Sequence, residues 1–321
     1  MKKLIVILYN SISSGSLDEV DVLSQRDLVK EACLELGYRV ECIGSGNDPM
    51  GIATEIWKDN PDMVFNLVES VWEKGELIYV LPAILNALRI PFTGVSLEAL
   101  FLTTNKVLTK NMLRSAGLQT PDYFTIDQVS KLDPDKRYMS KPIWEEGSIG
   151  ISGDPIFTTK NKEKMAWIKS MCKRHYFIEE YIEGREINVS LLAGKDGPEI
   201  LPIAEITFSD YFKDKPKILD YKAKWVADSE EYKQTNRVFG TLETEPELEK
   251  KIKEMCLKVW DLFGLTGYAR VDFRVDEQHE PYILEVNGNP CISPDSGFIA
   301  AVEAAAYSNK NMIKRIIDDA R

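Results

Sequence analysis

The segment Ala269–Pro290, ARVDFRVDEQHEPYILEVNGNP, concentrates charged and amide side chains at spacings that suit a binding site. Folded about Gln278 and His279, it sets Asp272 opposite Glu285 and Arg270 opposite Asn287. Successive side chains on a strand point to opposite faces, so these four share one face. Val271, Phe273, Leu284 and Val286 share the other, toward a core. Two carboxylates and an amide oxygen beside one guanidinium suit a hard cation, and Mg²⁺ in particular takes one or two carboxylates and fills its octahedron with water and phosphate oxygens. The alternative is an amphipathic surface hairpin, whose polar face would more often carry Lys, Thr and Ser.

Phosphate chemistry also needs fixed positive charge and a loop able to close over the site. Lys141 ends a strand and precedes a loop holding Gly147, Ser148 and Gly150, whose backbone N–H groups could cradle phosphate oxygens. A lysine beside a flexible surface loop has the same signature, and Lys106 and Lys224, taken singly, read as solvated helix lysines. Glu179 and Glu180 close an apolar, aromatic run, where they could meet a ligand at a domain junction, with Glu186 near a ribose hydroxyl; two exposed loop acids fit the same residues. Trp144, Tyr181 and Trp225 fit ordinary core aromatics.

These candidates must be held by ordered elements, and the composition supplies them. The chain has 321 residues, 44% hydrophobic and 28% charged, enough for two or three domains with their own cores. A formal charge of −11, spread along the whole length, leaves no basic tract to grip a nucleic-acid backbone. Met1–Tyr9 imitates a signal peptide, but Asn10 and the Ser/Gly-rich Ser11–Ser16 end the run early. It reads as a buried first strand, and no stretch approaches the roughly 18–20 apolar residues of a membrane span. Five cysteines without CxxC spacing suit reduced thiols in a cytoplasm. Only His175 and His279 are present, which argues against histidine-based zinc sites and a Ser-His-Asp triad.

Along the chain, strand Leu4–Leu8, a helix over about 18–36, strand Tyr38–Ile43, a helix around Ile52–Lys58 and strand Met63–Asn66 alternate as a parallel α/β unit. Its first turn, Asn10–Asp18, lacks the GxGxxG of a dinucleotide-binding domain. A helix from Thr104 to Gly117 follows, with Leu108, Met112 and Leu113 as its apolar stripe. The remaining elements are strands at Lys136–Pro142, His175–Ile182, Glu186–Leu192 and Glu199–Thr207, a helix at Glu245–Phe263, the hairpin, and a closing helix from about Ser296.

Taken in order, these elements resemble the ATP-grasp superfamily and specifically the D-alanine–D-alanine ligases, over most of the chain. Residues 269–290 resemble that family's metal-binding strand pair, and TNKVLTK at 104–110, AGLQTP at 116–121, Lys141-Pro142, EEYIEGRE at 179–186 and DYKAK at 220–224 resemble its other signatures. The resemblance implies an α/β (α+β ATP-grasp) fold. Residues 1–100 would form a parallel α/β substrate domain, 101–184 a small central α+β subdomain, and 185–321 a mixed-sheet, metal-binding domain, with ATP between the last two. It further implies two Mg²⁺ ions (or Mn²⁺) on Asp272, Glu285 and Asn287, with Glu285 bridging. Lys106, Lys141 and Lys224 would contact the ATP phosphates and Ser148 would act in the phosphate loop. Glu179, Tyr181, Ile182 and Leu284 would surround the adenine, and Glu186 the ribose. Arg270 would face the oxyanion of a tetrahedral intermediate, Glu19 the amino group of the first amino-acid substrate, and Ser296 the carboxylate of the second.

The implied activity is a cytoplasmic, ATP-dependent ligation of two amino acids through an acyl phosphate, as in peptidoglycan assembly, by a soluble homodimer with no nucleic-acid or membrane partner. The departures from the family pattern fall in the amino-acid site. Gly147 stands where the family has a serine, Trp225 where it has a tyrosine, and Cys291 where it has an oxyanion-hole glycine; residues 68–75 replace an early His-Gly motif. Indole offers one donor and no acceptor, so Trp225 cannot do the work of a hydroxyl. A ligase for other amino acids or a hydroxy acid, an ATP-dependent small-molecule kinase, and a non-catalytic nucleotide-binding module are the competing readings.

Overall fold

The computed structural model describes residues 2–12, 15, 17–46, 48–145 and 155–320, without the side chains of 17–19. In the N-terminal part, β1 (Leu4–Asn10), α1 (Leu17–Glu35), β2 (Arg39–Ser45), α2 (Pro49–Asp59) and β3 (Met63–Leu67) wind a parallel sheet of order β2-β1-β3. Both faces of β1 are covered, which is why LIVIL is a continuous apolar run. Ile5 and Ile7 pack with residues of α1 and of the last two helices, and Val6 and Leu8 pack toward α2 and α3 (Val80–Leu88).

Two helices follow where the sequence suggests one. α4 (Leu97–Thr104) stops at Asn105, whose Oδ1 accepts the Leu108 N–H at 2.9 Å and so caps α5 (Lys106–Ser115). The buried stripe of α5 is Lys106, Thr109, Lys110 and Leu113, at i, i+3, i+4 and i+7, whereas Leu108 and Met112 are only half-buried. Polar residues occupy this stripe because each finds a partner across it. Ala99, Leu100 and Leu113 share a core with Ile187, Val189, Val271 and Phe273, so the α4–α5 corner packs on the C-terminal sheet.

β4 (Tyr123–Thr125), β5 (Tyr138–Pro142), β6 (Ile156–Phe157), α6 (Lys162–Ser170) and β7 (Tyr176–Glu180) form the central unit, an antiparallel sheet of order β4-β7-β5-β6 over a small core that includes Tyr138, Phe157, Ile168 and Ile178. β7 ends at Glu180, two residues short of the expected end, and Tyr181–Gly184 become a connector to the next sheet. Gly184 has φ +142°, and a Cβ there would run into the Val275 carbonyl, so the connector needs glycine at this point.

The C-terminal unit contains β8 (Arg185–Leu192), β9 (Glu199–Ile200), β10 (Ala204–Phe208), α7 (Tyr221–Trp225), α8 (Glu230–Lys233), β11 (Thr235–Phe239), α9 (Pro246–Phe263), β12 (Tyr268–Val275), β13 (Pro281–Asn287), α10 (Gly297–Ala304) and α11 (Asn309–Asp318). Its antiparallel sheet runs β11-β10-β8-β12-β13, with β9 also on β8. The expected strand 199–207 is two strands, separated at Leu201–Ile203, because Pro202 has no N–H to give a ladder. The closing helix is likewise two, separated where Ala306 takes φ +58° and Ser308 caps α11. α9 lays Leu248, Ile252, Met255, Val259 and Phe263 into the sheet's core.

Candidate active site

The hairpin pairs as its symmetry requires at one end: Arg270 faces Asn287, Val271 faces Val286 and Asp272 faces Glu285. Beyond that the register slips, and Phe273 faces Ile283 rather than Leu284. Leu284 is the extra residue of a bulge. Strand alternation therefore fails locally, and Leu284 and Glu285 both line one cleft while Val271, Phe273, Ile283 and Val286 are buried behind it. Leu284 thus leaves the core that alternation assigned to it and lines the cleft.

The cleft lies between the four-stranded and six-stranded sheets. It brings together eleven of the residues singled out from the sequence: Lys106, Lys141, Glu179, Glu180, Tyr181, Ile182, Glu186, Lys224, Asp272, Leu284 and Glu285. Arg270 and Asn287 pair two rungs from Asp272 and Glu285 on the hairpin. Lys106 Nζ donates to the Glu145 carbonyl at 2.6 Å and lies 4.0 Å from Glu285 Oε2. Burial opposes ionisation of Glu285, but Lys106, Lys224 and Arg270 outweigh it and hold the carboxyl down at about 2.

At the other wall, Glu179 is buried and ion-paired to two lysines, Lys141 and Lys110. Burial works to raise its pKa, yet the two ammonium groups keep it below the usual carboxylate range. Lys110, which its residue type and position in the sequence do not single out, lies one helical turn from Lys106 on the same buried face. Burial pulls its pKa down to about 8, against the pull of Glu179.

Arg270 is tied to its own strand: its Nε and Nη2 donate to Asp272 Oδ1 and Oδ2 at 2.7 and 2.8 Å, a two-pronged ion pair. The two residues are i and i+2 on one strand face, and the guanidinium fork turns back onto the carboxylate. Asn188, directly opposite Asp272 on β8, donates to Oδ1 at 2.9 Å. Burial nevertheless raises the Asp272 pKa despite Arg270. Asn287 Oδ1 accepts the Asn289 N–H at 2.8 Å. Among the described residues no three histidine, cysteine or acidic side chains cluster as a metal cage. Two facing carboxylates and an amide oxygen still match a Mg²⁺ site that draws its other ligands from water and phosphate.

Arg274, also unforeseen, is buried where the connector meets β12. Nε donates to the Ile182 carbonyl at 3.0 Å, Nη2 to the Tyr181 hydroxyl at 3.0 Å, and Nη1 lies 3.4 Å from Glu186 Oε2. Burial raises the Glu186 pKa in spite of this neighbour. Alternation carried the signal for Arg274, since it shares a strand face with Arg270 and Asp272.

The candidate amino-acid side is separate from the cleft lining. Cys291 Sγ donates to Asp21 Oδ2 at 3.0 Å, and burial followed by the Asp21 charge pushes its thiol far above the ordinary range. Gln25 reaches both Asp21 and Glu69 at 3.3 Å. Ser296 Oγ accepts the Ile299 N–H at 3.2 Å as the cap of α10, and Trp225 is the half-buried last residue of α7. Glu19 falls in α1 with its side chain outside the described residues, as do Gly147, Ser148 and Gly150 altogether.

Residues 112–318 match the family model for the D-Ala D-Ala ligase C-terminus. The D-alanine–D-alanine ligase of Carboxydothermus hydrogenoformans is 30% identical over 325 residues, covering 95% of this chain and 96% of that protein. The structure of D-alanine–D-alanine ligase from Bacillus anthracis complexed with ATP superposes with a TM-score of 0.74 at 20% identity, covering 99% of this chain and 97% of that one. The VanG D-Ala:D-Ser ligase from Enterococcus faecalis gives 0.73 at 18% identity, with 99% of each chain covered. The chain therefore belongs to the D-alanine–D-alanine ligase family of the ATP-grasp superfamily, ATP-dependent ligases that form a peptide bond between two amino acids.

Proposed function

We propose that the cleft binds ATP with its base against Glu179–Ile182 and Leu284 and its ribose at Glu186. Its phosphates lie among Lys106, Lys141 and Lys224, and Asp272, Glu285 and Asn287 hold two Mg²⁺ ions. The observation that carries this reading is a single cleft that gathers the facing carboxylates Asp272 and Glu285 with Lys106, Lys141 and Lys224. Bound Mg²⁺ would neutralise charge on the transferring phosphoryl group.

A carboxylate of the first amino acid attacks the γ-phosphorus, and ADP leaves. The amine of the second then attacks the acyl phosphate and expels phosphate. The lysines offset charge on the phosphoryl oxygens, and Arg270 lies two rungs from the Asp272–Glu285 pair, where it would meet the oxyanion. Ser148 and the loop around it would exclude water from the acyl phosphate.

We further propose that the amino-acid pair is not D-alanine with D-alanine alone. Cys291, hydrogen-bonded to Asp21, occupies a position where the resemblance implies glycine, and Trp225 one where it implies tyrosine. Glu19 and Ser296 would contact the two substrates. The substrate, central and metal-binding domains would divide near residues 100 and 184, and two chains would pair as a homodimer.

The test is phosphate release with ATP and Mg²⁺ against a panel of D- and L-amino acids and D-lactate. Strong turnover with D-alanine alone would overturn the substrate reading, and a stable phosphorylated product without phosphate release would favour a kinase.

A further inference from the structure

A bulge leaves a ladder carbonyl without its strand partner, and a buried carbonyl must find another. At β13, the edge strand of its sheet, the carbonyl of the bulged Leu284 is met by the side chain of Lys110, with Nζ at 3.0 Å. The same ammonium donates to Thr120 Oγ1 at 2.9 Å and is ion-paired to Glu179. Two hydrogen bonds and one ion pair therefore hold a side chain with no exposed surface. Thr120 continues the tie, giving its own hydroxyl proton to the Ile283 carbonyl at 2.7 Å, and Ile283 N–H donates to Gln119 at 2.9 Å. Lys110 thus touches the bulge that turns Leu284 and Glu285 into the cleft and also the acid on the opposite wall.

We propose that Lys110 is a positioning residue for the nucleotide: it fastens Glu179 of the four-stranded sheet to the bulged strand that carries Glu285, so that the base-side acid and the metal-side acid keep a fixed separation. This rests on the reading of the cleft as the ATP site. A side chain that only filled space would affect folding. One that sets the distance between the two ends of the ligand affects nucleotide binding more than the chemical step.

The experiment compares wild type with Lys110→Met, Lys110→Arg and Thr120→Val, reading ADP affinity by calorimetry, the ATP KM and kcat, and the melting temperature. Lys110→Met is expected to weaken ADP and raise the ATP KM at least tenfold, with a smaller fall in kcat. Lys110→Arg, keeping charge but not the compact three-donor geometry, should be intermediate. Should Lys110→Met not fold, Thr120→Val decides, because it removes one of the three partners with little change in volume: a threefold or greater loss of ADP affinity supports the proposal. ADP affinity within twofold of wild type in whichever of these variants is folded overturns it. If the wild-type protein binds neither ADP nor ATP, the nucleotide reading itself fails, which is a separate result.

Discussion

Replacing Arg270 by methionine separates its two roles, partner of Asp272 and charge for the oxyanion. The native pair has two short hydrogen bonds, 2.7 and 2.8 Å, on side chains that are 16% and 9% exposed. Removing one partner of a buried pair costs about 3–5 kcal/mol in general. Two features of this site reduce that figure. Asn188 still donates to Asp272, and the Asp272 pKa, already raised by burial, allows the carboxyl to take a proton instead of remaining a lone charge. The expected loss is about 2–3 kcal/mol near neutral pH, or about 5 °C in melting temperature for a chain of this size. It should shrink as the pH falls, because the variant's Asp272 is neutralised more readily than the native one.

The catalytic loss should be larger than the structural one. One lost electrostatic stabiliser of a developing oxyanion costs about 10²–10³ in kcat. Lys should recover part of the charge but not the fork. The assay is phosphate release at saturating ATP and amino acids, with melting curves from the same preparations at two pH values. A kcat within about tenfold of wild type would refute the oxyanion role, and an unchanged melting temperature would refute the structural one.

Glu285→Gln should abolish nucleotide-dependent turnover while leaving the fold intact; wild-type ADP release would sink the metal assignment. Gly184→Ala should destabilise by about 3 kcal/mol or more, since it adds steric conflict at a φ that L residues rarely adopt. Gly264→Ala, at φ +59° with open space around it, should cost only about 1–2 kcal/mol in the same urea titration, and equal losses would contradict this. Iodoacetamide at neutral pH should label exposed Cys172 first in the native protein. Burial pushes Cys33 up to about 12, Cys256 higher, and Cys291 well above its ordinary value. Early labelling of any of these three, read by peptide mass spectrometry, would refute the burial.

The hairpin's near end was legible because strand alternation and a turn between Gln278 and His279 leave one register for Asp272 and Glu285. The bulge was not. Its extra residue is stabilised by Lys110 from a helix distant in sequence, and pairing rules inside the hairpin carry no trace of that. Lys110 was also hidden by its type, since a helical lysine is ordinarily solvated; what buries it is Glu179, reached only through the tertiary fold. The break at Pro202 could have been read directly, as proline cannot donate to a ladder. The pairing of Arg270 with Asp272 was half visible: alternation put both on one face, but whether the fork turns inward to its own strand depends on side-chain conformation.

The single residue between α4 and α5 has a mechanical consequence. Asn105 closes one helix and opens the other, so the two form a bent strut seated in the core of the six-stranded sheet. Lys106 and Lys110 therefore belong to one jaw, and Lys141 to the other, where its charge repels Lys110. Glu179 lies between the Lys110 and Lys141 ammonium groups and is ion-paired to both, so the jaws are latched by a charge of the protein itself, and the strut carries that latch into the core of the six-stranded sheet.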